Sequence, residues 1–296
     1  MTTIWSRAIA WSVVLLILVG APLLARSQGA FNWRNFSTAN GLTNSAISSV
    51  TIGPRGTLWL KDDEFSTFTR FDGYQFDSYP FPFPGFSPSR IFEGRSGQLW
   101  AVDQEAVLEY SNGRWVRFPL LQIRQEFRQQ LRRLTQPISL IPLRINNLLI
   151  LLTDQLIRFD SLRNDVTTIK RADGMKIGKF KELIELTSQS LLVTGEKGIA
   201  RIEVSPREIS EQTPWIEFVP EGPVELRDFQ RPTENADGSV SMVTIGSDQH
   251  RYIATIDGDR WSFKDVNKLK LRFAWKQSSS GFWGQSYNAI YHIDET

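Results

Sequence analysis

The stretch "GTLWLKDDEFSTFTRFDGYQFDSY" (Gly56 to Tyr79) recurs 41 residues later in similar form as "GQLWAVDQEAVLEYSNGRWVRF" (Gly97 to Phe118). Each copy has a glycine, an apolar residue, a tryptophan, an acidic turn, an aromatic strand and an Asp-Gly or Asn-Gly turn. Asp-Gly and Asn-Gly supply the positive φ that two-residue hairpin turns require. The unit therefore predicts short antiparallel strands joined by tight turns.

The unit recurs along the chain when the tryptophan of the first copy is used as an anchor. Six anchors follow at intervals of 41 to 50 residues, namely Trp59, Trp100, Ile150, Leu192, Ser241 and Trp283. Four antiparallel strands repeated about every 45 residues are typical of propeller blades. A β-sandwich of similar length is the alternative, but the fold of a sandwich does not require a sequence pattern that recurs at fixed intervals. The sequence therefore predicts an all-β propeller over residues 31–294 with six four-stranded blades, seven being the alternative count.

The two ends of the predicted propeller complement each other. The segment "FNWRNFS" (Phe31 to Ser37) is typical of a lone outer strand, and the last unit ends at "AIYHIDET" without its own outer strand. Pairing of Phe31–Phe36 beside Tyr291–Asp294 would complete the sixth blade. Such closure removes the long exposed edge that an open array of blades would leave.

Residues 1–27 have the organisation of a secretory signal peptide. Arg7 precedes an apolar run from Ala8 to Gly20, Pro22 follows, and Ala25-Arg26-Ser27 offers small residues at a cleavage site. The apolar run is shorter than the roughly 20 residues that span a bilayer, which disfavours the alternative of a retained anchor helix. The sequence therefore predicts export to the periplasm or the extracellular space, with no membrane span beyond the signal peptide.

Charge and composition exclude several classes of partner. Removal of residues 1–27 takes away two arginines and no acids, which leaves 32 basic and 32 acidic residues. A neutral chain lacks the electrostatic footprint of a nucleic-acid-binding protein. With two histidines and no cysteine, a metal site built from imidazole and thiolate is not expected. We therefore expect no cofactor, no metal and no nucleic acid.

The segment "NGLTNSAISSVTIGPRGTLWLKDDEFSTFTRFDG" (Asn40 to Gly73) resembles the two-component regulator propeller repeat. The matching residues are Gly41, Leu42, Asn44, Gly56, Leu58, Trp59, Phe71, Asp72 and Gly73. The second unit matches at Gly97, Leu99, Trp100, Tyr110, Asn112 and Gly113. This chain departs from the repeat at "KDDEFSTF", where the family commonly has Gly-Thr-x-x-Gly-Leu, and the middle units have drifted further.

The resemblance implies an extracytoplasmic sensor domain. In that family a propeller is usually followed by a small β-sandwich, a membrane span and a cytoplasmic kinase, cyclase or DNA-binding module. No such module follows here, so the resemblance fits either a stand-alone propeller or the amino-terminal part of a longer sensor. The expected function is non-enzymatic binding of a small solute, an oligosaccharide or a protein partner. The alternatives are an exported propeller enzyme that acts on glycans and a protein-interaction scaffold.

No catalytic constellation is visible in the sequence. The glycines do not take a phosphate-binding spacing, no Gly-x-Ser-x-Gly elbow occurs, and paired acids such as Asp62-Asp63 fit turns on a solvated rim. Binding is expected where loops of several blades meet. The turns after the anchor strands bring together the candidate ligand-binding residues Asp63, Asp103, Glu196, His250 and Tyr287. The anchor tryptophans themselves are expected to lie in the core between blades.

Overall fold

A computed structural model of the protein describes most of the chain beyond residue 36. The described residues are 37–44, 47–62, 67–81, 90–103, 105–130, 138–278, 281–286 and 290–294. They contain six antiparallel sheets whose strands follow one another in chain order, as propeller blades do. The prediction of an all-β propeller with six blades is confirmed by this arrangement.

Sheets one to three contain four strands each, and every strand pairs with its neighbours in sequence. Their strands are β1 (Ile47–Ile52), β2 (Leu58–Asp62), β3 (Thr67–Phe71), β4 (Phe76–Pro80), β5 (Ile91–Glu93), β6 (Leu99–Val102), β7 (Ala106–Ser111), β8 (Arg114–Pro119), β9 (Ser139–Arg144), β10 (Asn147–Leu151), β11 (Gln155–Asp160) and β12 (Asp165–Arg171). Helix α1 (Leu121–Gln130) lies in the connection between the second and third sheets.

Sheets four and five also have four strands, and three strands of the sixth sheet are described. These strands are β13 (Phe180–Glu185), β14 (Leu191–Gly195), β15 (Ile199–Ile202), β16 (Ile216–Phe218), β17 (Leu226–Glu234), β18 (Val240–Gly246), β19 (Arg251–Asp257), β20 (Arg260–Asp265), β21 (Phe273–Ser278), β22 (Gly281–Gln285) and β23 (Ile290–Asp294). Short 3₁₀ turns occupy Thr38–Asn40 and Asn267–Leu269.

The first strand of each sheet lies toward the centre of the molecule. Strand β9 contacts both β5 and β13, and β17 contacts both β13 and β21. Neighbouring sheets therefore meet along their first strands, and the turns that follow these strands surround the central axis. This placement matters for function because it brings residues that are far apart in sequence to one region.

An apolar cluster fills the space between each pair of successive sheets. The five clusters contain, in order along the chain, Trp59 with Leu108, Trp100 with Phe159, Leu149 with Phe180, Leu192 with Phe229, and Val243 with Phe282. Flat aromatic and branched side chains suit such face-to-face packing of sheets. The expectation that the anchor tryptophans belong to the core between blades is confirmed for Trp59 and Trp100, which are buried, whereas Trp283 is only half-buried and lies in none of these clusters.

The anchor of the third unit is shifted by one residue from its predicted position. In four other units the anchor is the third residue after a turn residue with positive φ; these turn residues are Gly56, Gly97, Gln189 and Gly238. In the third unit that turn residue is Asn146, which places the equivalent of Trp100 at Leu149 instead of Ile150. Leu149 packs toward sheet four, as an anchor should, whereas Ile150 packs toward sheet two.

Two predictions fall on residues outside the described part of the chain. The closing strand Phe31–Phe36 and the signal peptide over residues 1–27 both precede residue 37. The sixth sheet, with β23 as its last described strand, has the three-stranded form that the closure prediction requires. Closure and cleavage therefore stay predictions.

Candidate functional site

Each blade exposes two kinds of turn on opposite faces of the propeller. Because successive strands run antiparallel, the turns after the first and third strands lie on one face, which we call the hairpin face. The turns after the second strands and the connections between blades lie on the other, which we call the connection face. Of the five candidate residues predicted from sequence, the three described ones lie on the connection face.

The side chain of each of these three candidates is bonded within its own blade. Asp103 follows β6, Glu196 follows β14 and His250 precedes β19. Asp63 and Tyr287 lie outside the described residues. No hydrogen bond joins any two of the three described candidates. Their role as a single binding site therefore stays a prediction.

Asp103 organises the turn that follows β6. Its Oδ1 accepts hydrogen bonds of 2.7 Å from the backbone N–H groups of both Glu105 and Ala106. Its Oδ2 forms an ion pair of 2.9 Å with Nε of Arg117, and its side chain is only 2% exposed. The ion pair and the hydrogen bond raise the pKa of Arg117. A buried carboxylate whose two oxygens are both bonded in this way mainly stabilises the turn.

Glu196 lies at the turn between β14 and β15 and is half-buried. Its Oε2 accepts a long hydrogen bond of 3.4 Å from the backbone N–H of Lys179. The backbone of Glu196 joins two blades, since its N–H donates to the carbonyl of Lys179 and its carbonyl accepts from the N–H of Asp228. The carboxylate is thus only weakly engaged at the connection face.

His250 belongs to a polar cluster with three neighbours at the connection-face end of the fifth sheet. Its Nδ1 lies 2.8 Å from Oδ2 of Asp265 and 3.8 Å from Oδ2 of Asp248. The hydroxyl of Tyr252 donates to Oδ2 of Asp248 over 2.6 Å. The hydrogen bond with Asp265, together with the two negative charges, raises the pKa of His250. The hydrogen bond to Asp248 raises the pKa of Tyr252 to about 12 and lowers the pKa of Asp248.

The hairpin face carries a cavity that draws on four blades. Its volume is ≈ 580 Å³, within the usual range of about 300–1,000 Å³ for small-molecule sites. Its charged and polar lining side chains are Arg55, Arg95, Glu185, Thr187 and Glu234. These residues come from the first, second, fourth and fifth sheets, and they lie at or next to the turns that follow the first strands.

Opposite charges line the cavity on different blades. The arginines Arg55 and Arg95 come from the first two sheets, and the acids Glu185 and Glu234 come from sheets four and five. Arg95 reaches across the third sheet, because its Nη2 donates to Oε1 of Glu185 over 2.8 Å. This ion pair links blades that are not adjacent in sequence.

Further hydrogen bonds position the cavity residues. Both Nε and Nη2 of Arg55 donate to Oε1 of Glu93, whose other oxygen accepts from the indole N–H of Trp59 over 3.0 Å. Oε2 of Glu234 accepts from the backbone N–H and the hydroxyl of Thr187 at 2.6 and 2.8 Å. Each of these carboxylates thus fixes a turn that belongs to the preceding blade.

This cavity was not predicted from the sequence, although the repeat carries a signal for it. Glu93, Glu185 and Glu234 each end the first strand of a unit, directly before its turn. An acid repeated at that position predicts carboxylates around the axis of the hairpin face. From sequence, binding was expected only at the turns after the anchor strands, which lie on the opposite face.

Neither a metal-ligand cluster nor a membrane-spanning helix occurs in the described part of the chain. No group of three or more His, Asp or Glu side chains in that part of the chain is arranged to hold a metal ion. Among the same residues, no helix has the length and apolar character needed to cross a membrane.

Comparison with known proteins identifies the fold but not a family. No family model matches the chain, and no curated protein matches its sequence. Among solved structures, virginiamycin B lyase from Staphylococcus aureus has a TM-score of 0.57 at 13% identity, over 86% of this chain and 82% of the lyase. YCF48 bound to D1 peptide has a TM-score of 0.54 at 14% identity, with coverage of 84% and 80%.

The extracellular domain of a putative signalling system is also among the similar structures. The extracellular domain of the putative one component system BT4673 from Bacteroides thetaiotaomicron has a TM-score of 0.55 at 12% identity. The similarity covers 88% of this chain and 37% of that domain. At such identities the comparisons establish a shared propeller fold, and proteins with one fold can have different functions.

Proposed function

We propose that this protein is an exported, non-catalytic binding module that holds a small solute in the cavity of the hairpin face. The observation that carries the proposal is the convergence of five polar side chains from four blades around ≈ 580 Å³. A concave site with a few convergent polar groups is the usual form of a ligand site. A role as the sensing part of a signalling protein follows from the resemblance of Asn40–Gly73 to the two-component regulator propeller repeat.

Two further observations support export and sensing. Residues 1–27 have the pattern of a signal peptide. The fold is similar to the extracellular domain of a putative one component system.

A protein partner is a second candidate occupant of the hairpin face, because Tyr74, Ile145 and Leu162 are exposed in its turns at 95%, 63% and 79%. The structure of YCF48, which has a similar fold, was determined with a bound peptide.

A cavity-filling variant tests the proposal. Residues 28–296 are screened by thermal shift against libraries of amino acids, short peptides and oligosaccharides. We expect at least one solute to raise Tm, because ligand binding to the folded state stabilises it. Arg95→Trp, which places a bulky side chain in the cavity, should abolish this shift. The control Arg227→Trp, at an exposed position near the connection face, should keep it.

Two results would contradict the proposed function. One is the absence of any binding solute in the three libraries. The other is binding that survives Arg95→Trp, which would move the site away from the hairpin face. Conversion of a bound solute to a product, followed by mass spectrometry, would show an enzyme instead of a binding module.

A further inference from the structure

We propose that the cavity of the hairpin face selects a zwitterionic ligand, namely a short peptide with free amino and carboxyl ends. This inference rests on the proposed function, since it specifies the chemistry of the solute that the same cavity binds. It follows from the distribution of charge over the blades that line the cavity, with arginines on the first two sheets and glutamates on sheets four and five.

The two arginines form one side of the cavity and retain hydrogen-bond donors. The described bonds of Arg55 use Nε and Nη2, and those of Arg95 use Nη2. A guanidinium has five N–H groups, so each side chain has donors left for a ligand. Both side chains are more than half exposed, at 58% and 53%. Guanidinium groups with free N–H donors suit a carboxylate.

The two acids form the other side and retain acceptors. The bonds described for Glu234 all reach Oε2, and the bond described for Glu185 reaches Oε1. The second oxygen of each carboxylate is thus left to accept from a ligand ammonium. The side chain of Glu185 is 29% exposed, so its interaction with a ligand would be only partly screened by solvent.

The charge balance of the lining argues for a ligand with both signs. The lining charges of Arg55, Arg95, Glu185 and Glu234 sum to zero, and Arg95 is already paired with Glu185, so an ion of one sign would gain little net attraction. A ligand with an ammonium at one end and a carboxylate at the other is attracted by both sides at once. The cavity volume of ≈ 580 Å³ exceeds the space that one amino acid fills, which favours a short peptide.

The rigidity of the lining supports selectivity for charge. Arg55 is fixed by the buried Glu93, and Glu234 is fixed by both polar hydrogens of Thr187. Charged groups held in place before binding lose little conformational entropy when a ligand arrives. A peptide with both termini free would therefore gain more from this site than one with a blocked terminus.

The test compares three libraries that differ only at the termini. Residues 28–296 are dialysed against an equimolar tripeptide library with free ends, the same library N-acetylated, and the same library C-amidated. Bound peptides are quantified by mass spectrometry. Each blocked library should bind at least about tenfold more weakly than the free one, since each lacks one charge-assisted contact.

Conservative variants assign each terminus to one side of the cavity. Glu234→Gln should weaken binding of the free library about tenfold and leave binding of the N-acetylated library unchanged. Arg95→Gln should weaken binding of the free library about tenfold and leave binding of the C-amidated library unchanged. Glu225→Gln and Arg227→Gln, exposed near the connection face, are the matched controls and should change neither. Glu234→Gln retains an oxygen that accepts from Thr187, so the turn should stay folded.

The outcomes separate this inference from the proposed function. Equal binding of free and blocked libraries would overturn the zwitterion inference. So would binding of a neutral oligosaccharide that Arg95→Trp abolishes, although the cavity would then still be a binding site. If no probe binds at all, the proposed function itself fails.

Discussion

Glu93 shows how one buried residue controls a functional surface. Its side chain is 1% exposed, and its carboxylate forms an ion pair with the guanidinium of Arg55 and accepts a hydrogen bond from the indole N–H of Trp59. An unpaired buried carboxylate is costly, so the fold holds Arg55 in place from below while its outer N–H groups face the cavity. The same arginine therefore serves both stability and the proposed binding site.

Replacing Arg55 should destabilise the protein measurably. We expect Arg55→Ala to lower the free energy of unfolding by about 2 kcal/mol, because Glu93 then keeps only the bond from Trp59. Arg95→Ala removes a more exposed ion pair and should cost less than about 1 kcal/mol. Urea denaturation measures both values, and in a Glu93→Gln background the cost of Arg55→Ala should fall. Equal costs in the two backgrounds would show that Arg55 does not act through Glu93.

The cluster around His250 gives a prediction about pH. The hydrogen bond with Asp265 is the main cause of its raised pKa, with Asp248 adding a smaller electrostatic effect. Because the folded pKa is raised, the cluster stabilises the protein fully below the unfolded pKa of about 6.5. This stabilisation is lost as pH rises through the folded pKa.

An NMR titration of the imidazole measures this shift directly, since the chain has only two histidines. Asp265→Asn should lower the pKa of His250 more than Asp248→Asn does. In the same way, the difference in Tm between the protein and His250→Asn should shrink from pH 6 to pH 8. A pKa of His250 at or below its ordinary value would contradict the geometry of this cluster.

At the scale of the element, the turns after the first strands of different blades share one backbone conformation although their residues differ. Gly56 and Gln189 occupy equivalent positions with φ of 77° and 66°. This left-handed conformation costs a non-glycine residue roughly 1–2 kcal/mol. Gln189→Gly should therefore raise the free energy of unfolding by about 0.5–1 kcal/mol, after the larger unfolded-state entropy of glycine is deducted.

Gly56→Gln is the matched reverse change. The space around Gly56 is open, so its substitution tests backbone conformation without a clash. It should destabilise the protein by about 1 kcal/mol in urea denaturation. If both substitutions left stability unchanged, the left-handed conformation would carry no energetic cost at these turns.

The same turns explain how far the sequence could predict the structure. Trp59 and Trp100 could be aligned because each follows a glycine whose conformation few residues tolerate. In the third unit the turn has Asn146, and the apolar run of β10 offers no distinctive residue, so the anchor was placed at Ile150 instead of Leu149. Register within a fully buried strand is not encoded by alternation of polar and apolar residues.

The cavity could not be predicted in the same way. Arg95 and Glu185 are 90 residues apart, and they meet only because the ends of first strands gather around the axis. A linear repeat shows which positions are equivalent but not how far long side chains reach across the centre. The candidates Asp103 and His250 had the right residue types, yet Asp103 is used within its turn and His250 within its own blade.

At the scale of the whole molecule, stability depends on contacts between successive sheets. Among the described residues, five apolar clusters join the six sheets, so that the second to fifth sheets each pack on two neighbours. The first and last sheets are therefore the positions at which closure matters most. A ring sealed by a strand from the other end of the chain would couple these two sheets and remove an exposed edge.

The predicted closing strand is tested by hydrogen exchange in the sixth sheet. Strand β23 pairs with β22 on one side, so only alternate amides of Ile290–Asp294 are bonded to it. If Phe31–Phe36 pairs along the other side, the remaining amides should also exchange slowly in residues 28–296. A protein that begins at residue 37 should lose this protection and unfold at a lower temperature. A protein that begins at residue 31 should keep both the slow exchange and the unfolding temperature of the longer protein. Fast exchange of those amides in the longer protein would mean that no strand from residues 31–36 closes the ring.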